Sequence, residues 1–243
     1  MVEPDPTLTR LRLDAALTRV AVIFRGMTAR SDEGNCECHW GSAAELARLK
    51  VPDVELGLDL LNRTWRSDWD DPSAILRRVL PEFSRAMVDG LLEPFCGPEQ
   101  IGYAFVRADW RQWPVEQFAA ARELLDAWWA HTLVQPNPAM PVCEVLVVCA
   151  EASETLTPWL RVWEAQDHAV ADRHLADAIT GWTRDFMGGW LPWDSWNSWG
   201  NADERLAELA TWLIRFAPAR LGARSLSAEL LHRLRFLGQT QAV

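Results

Sequence analysis

Prolines punctuate this chain where helices begin, and the stretches between them repeat apolar residues at helical spacing. Asp71-Pro72 sets an N-cap side chain ahead of a proline at the first helical position, Pro81 restarts the chain into another helix through Val88, and Pro98, Pro114 and Thr157-Pro158 repeat the device. A proline is tolerated there because its missing N–H would find no partner in a first turn and its fixed φ is already helical. Leu13, Leu17, Val20, Phe24 and Met27 form one stripe over residues 8–27. Phe118, Ala121, Leu125, Trp128 and Thr132, with Trp129 beside them, form another from Pro114 to about Val134. The clearest stripe, Ala171, Leu175, Ala178, Trp182 and Phe186, is ended by Gly188-Gly189. Ser42 and Glu45 make a capping-box pattern for a short helix ending near Lys50. Asn201 and Glu204 open a helix that uses Leu206, Leu209, Leu213 and Phe216, and a last helix runs from about Ser225 to Leu237.

Glu144 to Cys149 has strand propensity, but no second strand-like segment exists to pair with it, so it reads as helix. The expected fold is all-α. Short connections imply antiparallel neighbours, arranged as an irregular helical-repeat-like stack or a globular α-bundle, with no clean sequence period to choose between them. The 243 residues suit a single domain, 1–243, with residues 135–141, which hold three prolines and an asparagine, as the place for a subdivision.

Composition narrows the partners. An apolar fraction of 49% with 24% charged residues is that of a soluble globular chain. No apolar run approaches the roughly 18 residues of a membrane span. The start, Met1-Val2-Glu3-Pro4-Asp5-Pro6, lacks the basic and apolar segments of a secretory signal, so the expected location is the cytoplasm, with no membrane partner. A net charge of −10 argues against non-specific nucleic-acid binding. Arg215, Arg220, Arg224, Arg233 and Arg235 make the C-terminal end locally basic, which an exposed helical face explains. Lys50 is the only lysine, a bias that points to a GC-rich genome before it points to phosphate recognition. The chain has no Gly-rich phosphate loop, no Gly-x-Ser-x-Gly elbow and no His-Glu-x-x-His.

Five cysteines, an odd number, do not suggest a disulfide framework, and Cys96, Cys143 and Cys149 read as small core residues. Cys36, Cys38 and His39 differ, for they put three soft ligands within four residues where zinc wants four in tetrahedral array. Candidates for the fourth, such as Cys96, His131 or His174, have no positional support. A redox dithiol is opposed by Glu37, which raises thiol pKa; a loop whose cysteines simply pack is the plainer reading. His168, Asp172, His174 and Asp177 read as solvated ion pairs and caps, because the offset between the two histidines turns them to different sides of one helix. In the knot of Asp68, Asp70 and Asp71, the last is an N-cap and the others suit the helix N-terminus.

Trp190, Trp193, Trp196 and Trp199 recur every third residue in a chain of 15 tryptophans and one tyrosine, Tyr103. That period fits a polyproline-like or 3₁₀ path with the rings along one side. Such a row could stack on sugars or bases or fill a partner's groove; packing back over the helices is the preferred reading, since four exposed Trp are rare in a stable protein.

Cys36-Glu37-Cys38-His39, Leu80-Pro81 ahead of an apolar helix, Trp110-x-x-Trp113-Pro114 and Leu124-Leu125-x-x-Trp128-Trp129 together resemble a family of uncharacterised bacterial proteins. Its members have an N-terminal Cys-Pro-Cys-Cys motif followed by Leu-Pro and Trp-Trp helices. The resemblance extends through Leu156-Thr157-Pro158-Trp159 and His174-Leu175-Ala176. It departs where Glu37 replaces Pro and His39 replaces the last Cys, an exchange of one zinc ligand for another. It implies an all-α fold and carries no activity. The expected function is that of a binding or interaction module with a protein or small-molecule partner, against two alternatives: a zinc-stabilised structural protein, and an enzyme with an unrecognised helical active site.

Overall fold

Capping side chains and prolines set the helix boundaries in the computed structural model, which describes residues 6–36, 40–193, 201–222 and 227–239. The helices are α1 Pro6–Ile23, α2 Ala43–Leu49, α3 Leu58–Arg66, α4 Pro72–Val88, α5 Glu99–Arg107, α6 Val115–Val134, α7 Val142–Ser153, α8 Thr157–Glu164, α9 Ala169–Gly188, α10 Ala202–Leu221 and α11 Ala228–Gln239, with a 3₁₀ turn at Trp110–Gln112. The fold is all-α, and no strand occurs among the described residues. None of these helices is long and apolar enough to cross a membrane.

Ser42 and Glu45 form the reciprocal capping box at α2, and the Asp71 carboxylate accepts the Ala74 N–H at 2.8 Å to start α4. A second carboxylate helps there. Glu33, 2% exposed, accepts the N–H groups of Asp70 and Asp71 at 2.9 and 3.2 Å, tying the N-terminal loop to α4. Pro98, Pro114 and Pro141 stand at the N-cap, one residue before the first helical position. Pro81 does not restart the chain. It lies inside one continuous α4, because Leu76, Val79, Leu80, Phe83 and Met87 on both sides of it bury on the same core and offset the roughly 3 kcal/mol that an interior proline costs. The first stripe also ends early: α1 stops at Ile23, with Gly26 at φ 75° in the turn that follows.

All but three of the described buried apolar residues, Ala74, Val134 and Ala207, form one connected cluster from Leu13 to Leu237. α6 lies near its centre, packing on α1, α7, α8 and α9, which explains why it buries Ala120 and Leu124 as well as the predicted Ala121, Leu125, Trp128, Trp129 and Thr132, while the predicted Phe118 is half-buried. α7 is buried nearly all round, so its apolar run shows no amphipathic period. α5 reaches it most closely at Gly102, where a Cβ would stand 2.5 Å from the Val148 carbonyl oxygen and 2.9 Å from the Ala152 nitrogen.

Two aromatic chains run through the core. Trp65, Phe83, Phe105, Trp110 and Phe118 meet in sequence with ring centroids 5.0 to 5.9 Å apart, and Trp129, Trp163, Trp212 and Phe216 at 5.0 to 5.5 Å. Buried indole N–H groups need acceptors; Trp40 and Trp212 have none among the described residues, but three others find them on α7 and α8. Trp110 donates to the Ala152 carbonyl at 2.8 Å, Trp129 to the Trp159 carbonyl at 3.0 Å, and Trp159 to Ser153 Oγ at 2.7 Å.

His168 is the N-cap of α9, 5% exposed, and its Nδ1 accepts the Ala171 N–H at 3.2 Å while Nε2 faces Gln166 Oε1 at 3.3 Å. His174 Nε2 donates to the Gln135 carbonyl at 2.8 Å, and Asp172 pairs with Arg220. These residues are caps and pairs, as expected, but the histidines are buried rather than solvated: each caps or bridges a backbone group inside the packed helices. Burial, aided at His168 by the nearby Arg220, holds both imidazoles below the ordinary 6.5.

Because these folded-state pKa values are depressed, the stability they confer is present above pH 6.5 and is lost as pH falls below it, where the unfolded chain binds more protons. The melting temperature should therefore drop between pH 7 and 5, and His168→Asn, which keeps a cap acceptor that does not titrate, should flatten that drop. An identical pH slope in the variant would contradict the assignment. Gly102→Ala should lower Tm, since overpacking against backbone costs about 1–3 kcal/mol, or roughly 2–4 °C per kcal/mol in a chain of this size.

Candidate functional site

Asn62, 2% exposed, organises the site. Its Oδ1 accepts from Trp65 Nε1 at 2.9 Å and from the Glu93 N–H at 3.0 Å, and its Nδ2 donates to the Leu91 carbonyl at 3.3 Å, locking α3 to the segment after α4. Arg66, at the end of α3, donates to the Glu93 carbonyl at 2.7 Å and lays its guanidinium over the Phe95 ring, 4.3 Å from the centroid. Gln100 Oε1 accepts the Phe95 and Cys96 N–H groups at 2.6 and 3.3 Å, which fixes that loop to the start of α5. At the far end of α5, Arg107 donates to the Trp65 carbonyl at 2.8 Å and to Asp68 at 3.1 Å.

These contacts leave an open hollow of about 340 Å³ lined by Trp65, Arg66, Asp68, Phe95, Gln100, Tyr103, Ala104 and Arg107. That volume is in the range of small-molecule sites, as is a mostly apolar wall with a few convergent polar groups. Phe95 is 73% exposed at the rim. Arg107 Nε is buried without a hydrogen-bond partner, and beyond the bonds to Trp65 and Asp68 each Nη carries a second N–H, so the guanidinium keeps donors in reserve. Its partner Asp68 is fully exposed, and an ion pair to such a group is weak enough for a ligand acid to displace. Aromatic faces and two guanidiniums can together stack on and pair with a planar anion.

The hollow adjoins the cysteine loop, because Asn35 Nδ2 donates to the Asp68 carbonyl at 3.1 Å. Cys36, next to Asn35, is exposed and disulfide-bonded, and in that form it offers no thiolate to a metal. Cys38 and His39 lie outside the described residues. Among the described residues no three His, Cys, Asp or Glu side chains gather as metal ligands. Of the other cysteines, Cys149 is buried with its thiol pushed well up by desolvation and Cys143 is half-buried, as core residues should be. Cys96 is exposed instead, since its loop runs over the surface between α4 and α5.

The described part of the tryptophan row divides. Trp193 is 8% exposed and donates to Glu151 Oε1 at 2.9 Å, and that fully buried carboxylate also pairs with Arg205. Trp190 is 70% exposed. Trp196 and Trp199 lie outside the described residues. Trp65, Arg66, Phe95 and Arg107 carried no sequence signal; of the lining, Tyr103 stood out as the single tyrosine and Asp68 as part of the acidic knot.

Comparison of the chain with models of protein families, with curated proteins and with solved structures gives no match. The bacterial-family resemblance therefore rests on its motifs alone.

The row's division gives a paired expectation. Trp193→Ala removes a buried ring and should cost about 3–5 kcal/mol, a Tm loss of roughly 6 °C or more. Trp190→Ala should stay within about 0.5 kcal/mol of wild type, as surface changes do. Thermal melts that show equal losses for both variants would contradict the division.

Proposed function

We propose that this chain is a helical binding module whose hollow between α3, the 93–100 segment and α5 takes a small planar ligand bearing an acid group. The observation that carries the reading is the Arg107 guanidinium: its Nη groups keep N–H donors to spare, one of them is held only by a weak exposed partner, and it is set among Trp65, Phe95 and Tyr103. Rings provide faces for a flat ligand, and Arg66, stacked on Phe95, adds a second cation at the rim. Aromatic faces beside guanidiniums are what a binding site for such a ligand requires.

Thermal shift assays with benzoate and 2-naphthoate, against cyclohexanecarboxylate and neutral 2-naphthalenemethanol, test the reading. A ligand at ten times its Kd adds about 1.4 kcal/mol, a Tm rise of roughly 3–6 °C here. The aromatic acids should stabilise the protein more than either control, and Phe95→Ala and Arg107→Met should each remove most of the effect. No rise with any aromatic acid, or an undiminished rise in both variants, would overturn it.

A further inference from the structure

A second hollow, of about 310 Å³, opens where the end of α1 and the 51–57 loop meet α4. Asp53 shapes it. Its backbone is left-handed at φ 57°, and its carboxylate accepts the Gly26 N–H at 2.9 Å, which clamps the loop to the turn after α1. The floor comes from α4. Arg78, 4% exposed, donates through one Nη to the Val54 carbonyl, and its Nε has no partner. One turn on, Glu82 accepts the Leu56 N–H through Oε1 at 3.2 Å, and its Oε2 has no partner.

An unmatched donor on a buried cation and an unmatched acceptor on a neighbouring carboxylate are costly to keep, because burial removes the water that would otherwise satisfy them. The cost shows in both groups: desolvation pushes the Arg78 guanidinium down and the Glu82 carboxyl up from their ordinary values. Both side chains line the same hollow, so one occupant presenting a carboxylate and an ammonium would pair with the two together.

The rest of the lining says what kind of occupant. Arg25 and Arg85 add positive charge, and Asp53 and Glu55 add negative, so with Arg78 and Glu82 the cations and carboxylates are equal in number. That balance disfavours a polyanion such as a phosphorylated metabolite and suits a ligand carrying one charge of each sign. Phe24, Met27 and Pro81 supply an apolar side against which a short side chain can lie. We infer that this hollow binds a small zwitterion of the α-amino acid class, its carboxylate on the Arg78 guanidinium and its ammonium on Glu82.

Isothermal titration calorimetry of the full chain against the twenty protein amino acids, with acetate and methylamine each alone as probes, tests the inference. At least one amino acid should bind saturably and more tightly than either probe. Glu82→Gln, nearly the same shape without the charge, should weaken that binding tenfold or more, since a hydrogen bond to a charged partner is at stake. Arg78→Met should abolish it, and its circular dichroism shows whether the variant is folded. Should Arg78→Met fail to fold, the Glu82→Gln result decides alone. Absence of binding by every amino acid, acetate binding as tight as theirs, or unchanged affinity in Glu82→Gln would each overturn the inference.

Discussion

The last turn of α7 is where the helices are fastened to one another. Ala152 offers its carbonyl to Trp110, Ser153 takes the Trp159 indole through its hydroxyl while donating to the Cys149 carbonyl, and Arg111 reaches both the Ser153 carbonyl and the Glu154 carboxylate. Glu151 receives Trp193 and Arg205 in the same turn, from segments 42 and 54 residues away in sequence. α5 lies against it without a side chain at Gly102. A helix C-terminus ends in carbonyls that lack intrahelical partners, and here the buried Trp110 and the more exposed Arg111 provide them. The rings fill volume in one core, and the N–H groups of Trp110 and Trp159 are satisfied at the end of α7.

Glu151 is a special case within that turn. A buried ion pair returns little net stability, yet removing one member costs about 3–5 kcal/mol because the other charge is left in a poor solvent. The pair with Arg205 therefore fixes how α10 meets α7 more than it adds to their attraction. Both hollows sit on the other half of the chain, in the α1 to α5 region, where connections between helices are longer and their backbone is held by single side chains such as Asn62 and Asp53. A rigid fastening at α7 and side-chain-braced loops around the hollows divide the molecule into a scaffold and places where small molecules can enter.

Local chemistry explains what the sequence makes legible. The Ser42-Glu45 box, the Asp71 cap and the α9 stripe are patterns within a few residues, and each appears in the structure where it is expected. α7 is ambiguous because a helix buried on all sides loses the amphipathic period. Pro81 misleads because the burial that keeps α4 whole comes from residues distant in the chain. The aromatic hollow is illegible for the same reason: Trp65, Phe95 and Arg107 come from three segments with no shared spacing, and only the fold brings them together. The tryptophan row shows the limit of a local period, since Trp190 and Trp193, three residues apart, end one in solvent and one on Glu151.

Native-state hydrogen exchange tests the central claim most directly, because it measures the free energy at which each amide opens. If the end of α7 fastens the helices, the amides of residues 147–153 should be among the slowest in the protein and should exchange only through global unfolding, with a denaturant dependence equal to that of the whole chain. Exchange of those amides through a local opening, at a free energy near that of α11, would contradict it.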